Sequence, residues 1–470
     1  MSPTVADAFH RTLARATRFQ RGSAGAPRRL GALSASDAAL FPDGRILFTN
    51  GFSLSVADKD GTNPRVLAKP AVPGEAGAAG PCAIYYPRAS PDGSRVAFSE
   101  FCQQPLASLW EVPAAGGAAR ELPEPAPDVI AYGGSWTTDG RYLVFVGLRS
   151  GTADLWALRE PAGLLRNHPR PARVTSGPLS YTYAVSIRDG KQILAIGSKL
   201  RGELIRYDEK IGQFVPFLGG ISATDPTFSR DGRWITYRSY PDLTLWRSRS
   251  DGSESRQLTW PPTLVWSPLI SPDGLEVAYS TQTGIFVQSG QGGAAWKIAG
   301  VDCFTGGWSP DGKSLALACA DKESPADYEL RVVGVETGAI SVVPQSRGRI
   351  GPFWADQNTL VAAARDNSRF LTFDFRTGRW SQLASGNFVN WFISPDGKYL
   401  DCVTGGAEPM ALRIRIADGK VQPVTTIRGL RRVLDPYSSL TQVNVAPDGS
   451  LLFTRDIGTQ EIYALDMKWP

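Results

Sequence analysis

Apolar and polar positions along this chain fall into one pattern that recurs from residue 41 onward: a short apolar run, an Asp-Gly turn, then a second strand-like run. It reads FPDGRILFT from Phe41, SPDGSRVAFS from Ser90, TTDGRYLVFVG from Thr137, IRDGKQILAIG from Ile187 and SRDGRWITYRS from Ser229. It continues as SPDGLEVAYS from Ser271, SPDGKSLALAC from Ser309, SPDGKYLDCV from Ser394 and APDGSLLFTRD from Ala446. A degenerate copy, WADQNTLVAAA from Trp354, carries Asn358 where the others carry glycine. Asparagine is the residue that best replaces glycine in a left-handed backbone, so the exception keeps the turn.

Proline presets the second turn position and glycine supplies the positive φ that closes a hairpin, so each copy joins two antiparallel strands. With a three-residue Pro-Asp-Gly loop, Ser90 faces Ser94. A third apolar run follows each hairpin (SLWEV, DLWAL, ELIRY, TLWRS, EIYAL), then a turn and a fourth run such as RVLA, RELP or RQLT. Four strands in a unit of about 40 to 50 residues is the period of a propeller blade. The pattern predicts an all-β β-propeller of about ten four-stranded repeats. The last unit stops after its third run, EIYALD, and PRRLGAL (27–33) reads like the missing fourth strand. The expected architecture is therefore one closed ring whose N-terminal strand completes the last blade, with two abutting propellers as the alternative. Residues 1–26 form a basic arm and 27–470 the propeller.

The blade consensus resembles that of TolB-type propellers, and more closely the C-terminal propeller region of bacterial winged-helix regulators and related membrane-anchored sensors. The residues that carry the likeness are LWALRE (155–160), RGELIRYDEKIGQFVPFLGGISA (201–223), FSRDGRWITYRSYPDLTLWRS (228–248) and DIGTQEIYALD (456–466). The resemblance implies a sensing or docking module. The DNA-binding domain and transmembrane helix that precede the propeller in such regulators have no counterpart in this sequence, so DNA binding is not carried over.

Glycine (49), proline (35) and tryptophan (13) are abundant and methionine (3) is scarce, which agrees with many turns between pleated strands. The net charge of +5 is concentrated in Arg11, Arg15, Arg18, Arg21, Arg28 and Arg29, opposed there only by Asp7. A neutral body with a short basic arm lacks the broad electrostatic footprint of a nucleic-acid binder. Val5, Phe9, Leu13, Ala16 and Phe19 share one helical stripe, read as a linker helix or frayed terminus. No apolar run is long enough to cross a membrane and no secretory signal core is present. The expected location is cytoplasmic as encoded, or periplasmic if an export or anchor segment precedes residue 1.

Nucleophilic hydrolysis usually needs a histidine base, and the chain has only His10, in the basic arm, and His168, in the surface-like RNHPRP. The same shortage argues against a histidine metal site, and Asp58, Asp60 and Asn63 have the spacing of a turn, not of a helix-flanked calcium loop. The expectation is no catalytic, cofactor or metal residues, with a lactonase- or dehydrogenase-like propeller enzyme as the alternative. Counting outward from the turns places Cys82 opposite Cys102 and Cys303 opposite Cys319, either as disulfides or as buried thiols, and leaves Cys402 without a partner. Loops entering the first strand of each blade would surround a channel mouth, where a protein or small-molecule partner would meet Tyr85, Tyr132, Tyr181, Asp225, Trp266, Arg349 and Asn387.

Overall fold

The computed structural model describes residues 30, 33–70, 82–102, 107–160, 169–187, 190–321, 327–433 and 442–469. The expected helical stripe in the basic arm, His10 and His168 lie outside them. No helix among the described residues is long and apolar enough to cross a membrane.

Each copy of the repeat builds one antiparallel sheet, and the sheets divide between two compact units in place of a single ring of blades. Of the described residues, the smaller unit takes those from 30 to 199 and from 458 to 469, the larger those from 200 to 457. The smaller contains four sheets, whose inner strands are Asp37–Leu40, Ala83–Ala89, Ile130–Trp136 and Ser180–Ile187. The larger contains six, with inner strands Ala223–Phe228, Trp266–Ile270, Cys303–Trp308, Arg349–Asp356, Phe388–Ile393 and Asn444–Val445. In the larger unit each inner strand packs beside the next, and Asn444–Val445 touches both Phe388–Ile393 and Ala223–Phe228, so six blades close a ring.

Two hairpins exchange their third strands. The hairpin ending in Gln192–Lys199 takes its third strand from Thr459–Asp466, the EIYALD segment. Gly202–Asp208, which follows that hairpin directly, instead pairs with Leu451–Asp456. The larger propeller is thus inserted between the second and third strands of a blade of the smaller unit. Both segments read as third-strand sequences. The proposed closing strand, 27–33, lies outside the described residues except for Leu30 and Leu33, which are not in a strand.

The turns follow the chemistry of their residues. In the copy at Ser90, the Gly93 amide donates to the Ser90 carbonyl at 2.9 Å, while the Ser90 hydroxyl donates to Asp92 Oδ1 at 2.5 Å and accepts from the Arg95 amide at 3.0 Å. Ser229 with Asp231, Ser271 with Asp273, Ser309 with Asp311 and Ser394 with Asp396 repeat the hydroxyl-to-carboxylate bond. These donors hold Asp92 and Asp231 down at about 2, so the repeated aspartates are turn formers that stay ionised. In the copies at Ser90 and Ser309 the hairpin loop is four residues long and not three, the Ser90 amide meeting the Arg95 carbonyl and the Ser309 amide that of Ser314; in the copies at Phe41 and Ala446 it is three, the Phe41 amide meeting the Arg45 carbonyl and the Ala446 amide that of Ser450.

Cores form between neighbouring sheets. Phe41, Leu47 and Leu54 of the first sheet pack with Ile84, Val96 and Phe98 of the second. Leu360 and Phe373 pack with Ala316 and Leu330 in the larger unit. Each such buried aliphatic or aromatic side chain contributes about 1.5 to 3 kcal/mol relative to exposure.

Candidate functional site

Eight inner strands carry one extra residue relative to their partner: in seven, three steps on the inner strand span two on the next, and in Phe388–Ile393 two span one. In six of them the second residue of the bulge turns left-handed: Tyr86 (φ 55), Gly133 (φ 68), Tyr183 (φ 54), Asp225 (φ 52), Ser267 (φ 45) and Gly351 (φ 57). A left-handed residue with a side chain costs about 1 to 2 kcal/mol, and such strain collects where a side chain is being re-aimed.

In the smaller unit the bulges of three neighbouring inner strands border a cavity of about 70 Å3 lined by Tyr86, Tyr132, Tyr183 and Arg88, with Ser135 and Thr182 among its hydroxyls. Tyr86, Tyr132 and Phe101 form a triangle of rings with centroids 6.0, 5.9 and 6.1 Å apart. The Tyr86 amide donates to Asp37 Oδ2 at 3.0 Å, tying the first sheet to the second. Burial is the main cause that pushes the Tyr86, Tyr132 and Tyr183 phenols well above their ordinary range. At neutral pH all three are neutral O–H groups, able to donate hydrogen bonds and offer ring faces, and unsuited to act as phenolate nucleophiles or bases. A second cavity, of about 310 Å3, opens toward the turns between Phe41, Pro42, Pro91 and Trp136; Arg88 and Ser135 line both.

The seven expected mouth residues are shared between the two units, and six of them stand on inner strands, not on entry loops. Tyr132 lines the cavity; Tyr85, one residue before the bulge, is buried edge-on against Phe101 at 5.9 Å, and Tyr181 packs edge-on to Tyr463 at 6.1 Å. In the larger unit Asp225 forms an ion pair with the fully buried Arg238. Arg349 stacks over Trp380 at 4.2 Å and donates to the Arg347 carbonyl at 3.1 Å. Trp266 sits half-buried opposite Ser280, and the Asn387 carbonyl accepts from the Gly405 amide at 2.8 Å. Tyr86, Tyr183 and Arg88 are the site residues that reading by entry loop misses; the doubled aromatics of IYYPR and SYTY were the available signal.

Cys82 and Cys102 are joined by a disulfide, as are Cys303 and Cys319, and Cys402 is a buried free thiol whose pKa burial pushes up. Cys82, Cys102 and Glu100 bring three metal-ligand atoms within 4.8 Å of one another, but the disulfide occupies both sulfurs. Asp58, Asp60 and Asn63 make a turn, with Asn63 donating to Asp58 at 2.8 Å.

No family model matches the chain. It is 27 % identical over 202 residues to an uncharacterized peptidase of Bacillus subtilis, YuxL, and 23 % identical over 192 residues to an uncharacterized protein of Agrobacterium fabrum. These matches cover 41 % and 40 % of this chain, and the chain spans 29 % and 48 % of the lengths of those relatives. A solved structure of a TolB-like protein from Agrobacterium tumefaciens aligns with a TM-score of 0.44 and 16 % identity, over 55 % of this chain and 99 % of that one.

Proposed function

We propose that this protein is a non-enzymatic binding module, with a sensing or docking role, and that its recognition site is the phenol-lined cavity of the smaller unit. The observation that carries this reading is the convergence of Tyr86, Tyr132 and Tyr183 from three neighbouring sheets on one cavity, two of them held in left-handed strain. Strain of this kind at two aromatic residues is more than a hairpin requires, and its effect is to turn phenols toward a common space. Neutral phenols, one guanidinium and small hydroxyls suit the binding of a ligand and provide no base for turnover.

The test is a thermal-shift screen of a small-molecule library against the whole chain, with hits remeasured on Tyr183→Ala. Hits should lose at least tenfold in affinity in that variant, while a panel of esters, lactones and peptides shows no turnover. Turnover that disappears in Tyr183→Ala would make the cavity an active site and overturn the reading, and so would hits indifferent to the substitution.

A further inference from the structure

The geometry points to a carboxylate carried on an apolar body as the ligand of this cavity, with its headgroup against Arg88; this assignment rests on the cavity being the recognition site. Among the described lining residues of both cavities, Arg88 is the single charged side chain. Its one hydrogen bond among the described residues runs from Nη1 to the carbonyl of Pro87, at 2.8 Å. Other arginines of the same unit are committed to carboxylates: Arg95 to Glu160 at 2.6 Å, Arg149 to Asp128 at 2.6 Å and Arg173 to Asp154 at 2.6 Å. Arg88 makes no ion pair among the described residues. Asp37, the nearby carboxylate, is engaged by the Tyr86 amide and lines neither cavity, so the charge facing the open space is positive.

Size and polarity sort the rest of the ligand. The inner cavity, at about 70 Å3 against about 310 Å3, is the smaller of the two and suits the compact polar end of a ligand. Its phenols and the Ser135 and Thr182 hydroxyls are neutral donors that suit a monoanion, and a phosphate dianion would find no second cation on either lining. The outer cavity, about 310 Å3 between Phe41, Pro42, Pro91 and Trp136, is the size of a small-ligand pocket and is walled mainly by apolar groups. A molecule that fills both passes Arg88 at their junction, where a guanidinium holds a carboxylate through two parallel N–H donors. A free aryl or alkyl acid and the C-terminal residue of a peptide share this chemistry.

Isothermal titration of the whole chain distinguishes them, using 4-phenylbutyrate and its amide, and an N-acetylated peptide ending in phenylalanine with a free or amidated C-terminus. The acid form should bind at least tenfold more tightly than the corresponding amide. Arg88→Gln should erase that preference without shifting the melting temperature, and Arg88→Lys should keep part of it. Preference confined to phenylbutyrate identifies a free acid as the ligand; preference shown by the peptide identifies a chain terminus. Equal binding of acid and amide, binding of neither, or a preference that survives Arg88→Gln overturns the carboxylate assignment. The recognition site itself is judged separately, by the loss of screen hits in Tyr183→Ala.

Discussion

In the smaller unit the left-handed residues of the inner strands, Tyr86, Gly133 and Tyr183, border open space, and a Cβ added at Gly133 would meet nothing within 4 Å. In the larger unit two of the three matching positions are occupied from within, while Ser267 is exposed. Asp225 is paired with Arg238, and a Cβ at Gly351 would lie 2.5 Å from the Trp391 ring, whose Nε1 donates to the Gly351 carbonyl at 3.1 Å. One backbone device therefore has two outcomes. Where the re-aimed position is filled from within its own unit, it adds rigidity; at Tyr86 and Tyr183 it borders a cavity. The strain at Tyr86 and Tyr183 accompanies that cavity.

The largest effect that sharpens this contrast is expected from Arg238→Met. Removing the cation leaves Asp225, 6 % exposed, as a buried charge without its ion-pair partner, which costs about 3 to 5 kcal/mol. Urea unfolding followed by tryptophan fluorescence should show a large fall in the midpoint, partly recovered when Asp225→Asn is added. An unchanged midpoint would mean that the larger unit does not depend on this filling. Gly351→Ala should follow at about 2 to 4 kcal/mol, combining left-handed strain with the collision against Trp391.

A pH titration probes the larger unit in another way. Asp401 is fully buried, accepts from Arg413 Nε at 2.7 Å, and is pushed up to about 6 by burial, against the pull of Arg413 and with Glu209 and Asp396 adding to the rise. A carboxyl whose pKa is higher folded than unfolded, here about 6 against 3.8, keeps its proton in the folded state while the unfolded chain loses it. Its contribution is complete below about pH 4 and is lost as the pH rises to about 6, by up to about 3 kcal/mol at 1.36 kcal/mol per pH unit. Denaturant midpoints of the wild type between pH 4 and 7 should fall through that window, and the slope should flatten in Asp401→Asn. A slope that is the same in both proteins would assign the pH dependence to other groups.

The repeat was legible because its turn chemistry recurs along the chain, in several copies down to a hydroxyl and carboxylate such as those of Ser90 and Asp92. The cysteine pairs were legible through two effects that cancel. The turn holds one residue more than a three-residue loop, and the bulge farther along the inner strand takes up one extra residue, so Cys82 still meets Cys102 and Cys303 meets Cys319. The bulge itself has no sequence signature, since tyrosine, glycine, aspartate and serine all occupy its left-handed position, and this hid Tyr86 and Tyr183 behind Tyr85 and Tyr181. The division into two units was equally hidden. GELIRY and EIYAL both read as third strands, and only long-range pairing assigns each to its sheet.

The smallest expected effect is the one that most directly separates an open bulge from a filled one. Gly133→Ala places a methyl group where no atom lies within 4 Å, so nothing must move and the cost is left-handed strain alone, about 1 kcal/mol. That is well below the cost of the same substitution at Gly351, although the two glycines share the same place in their bulges. Because the new methyl projects from a residue that lines the cavity, it takes space from the ligand: binding of a wild-type ligand should weaken severalfold while the melting temperature moves by only a few degrees. Equal stability losses at Gly133 and Gly351, measured side by side, would show that the smaller unit is packed at this level as the larger one is, and the distinction between a cavity left open and a bulge filled from within would fail.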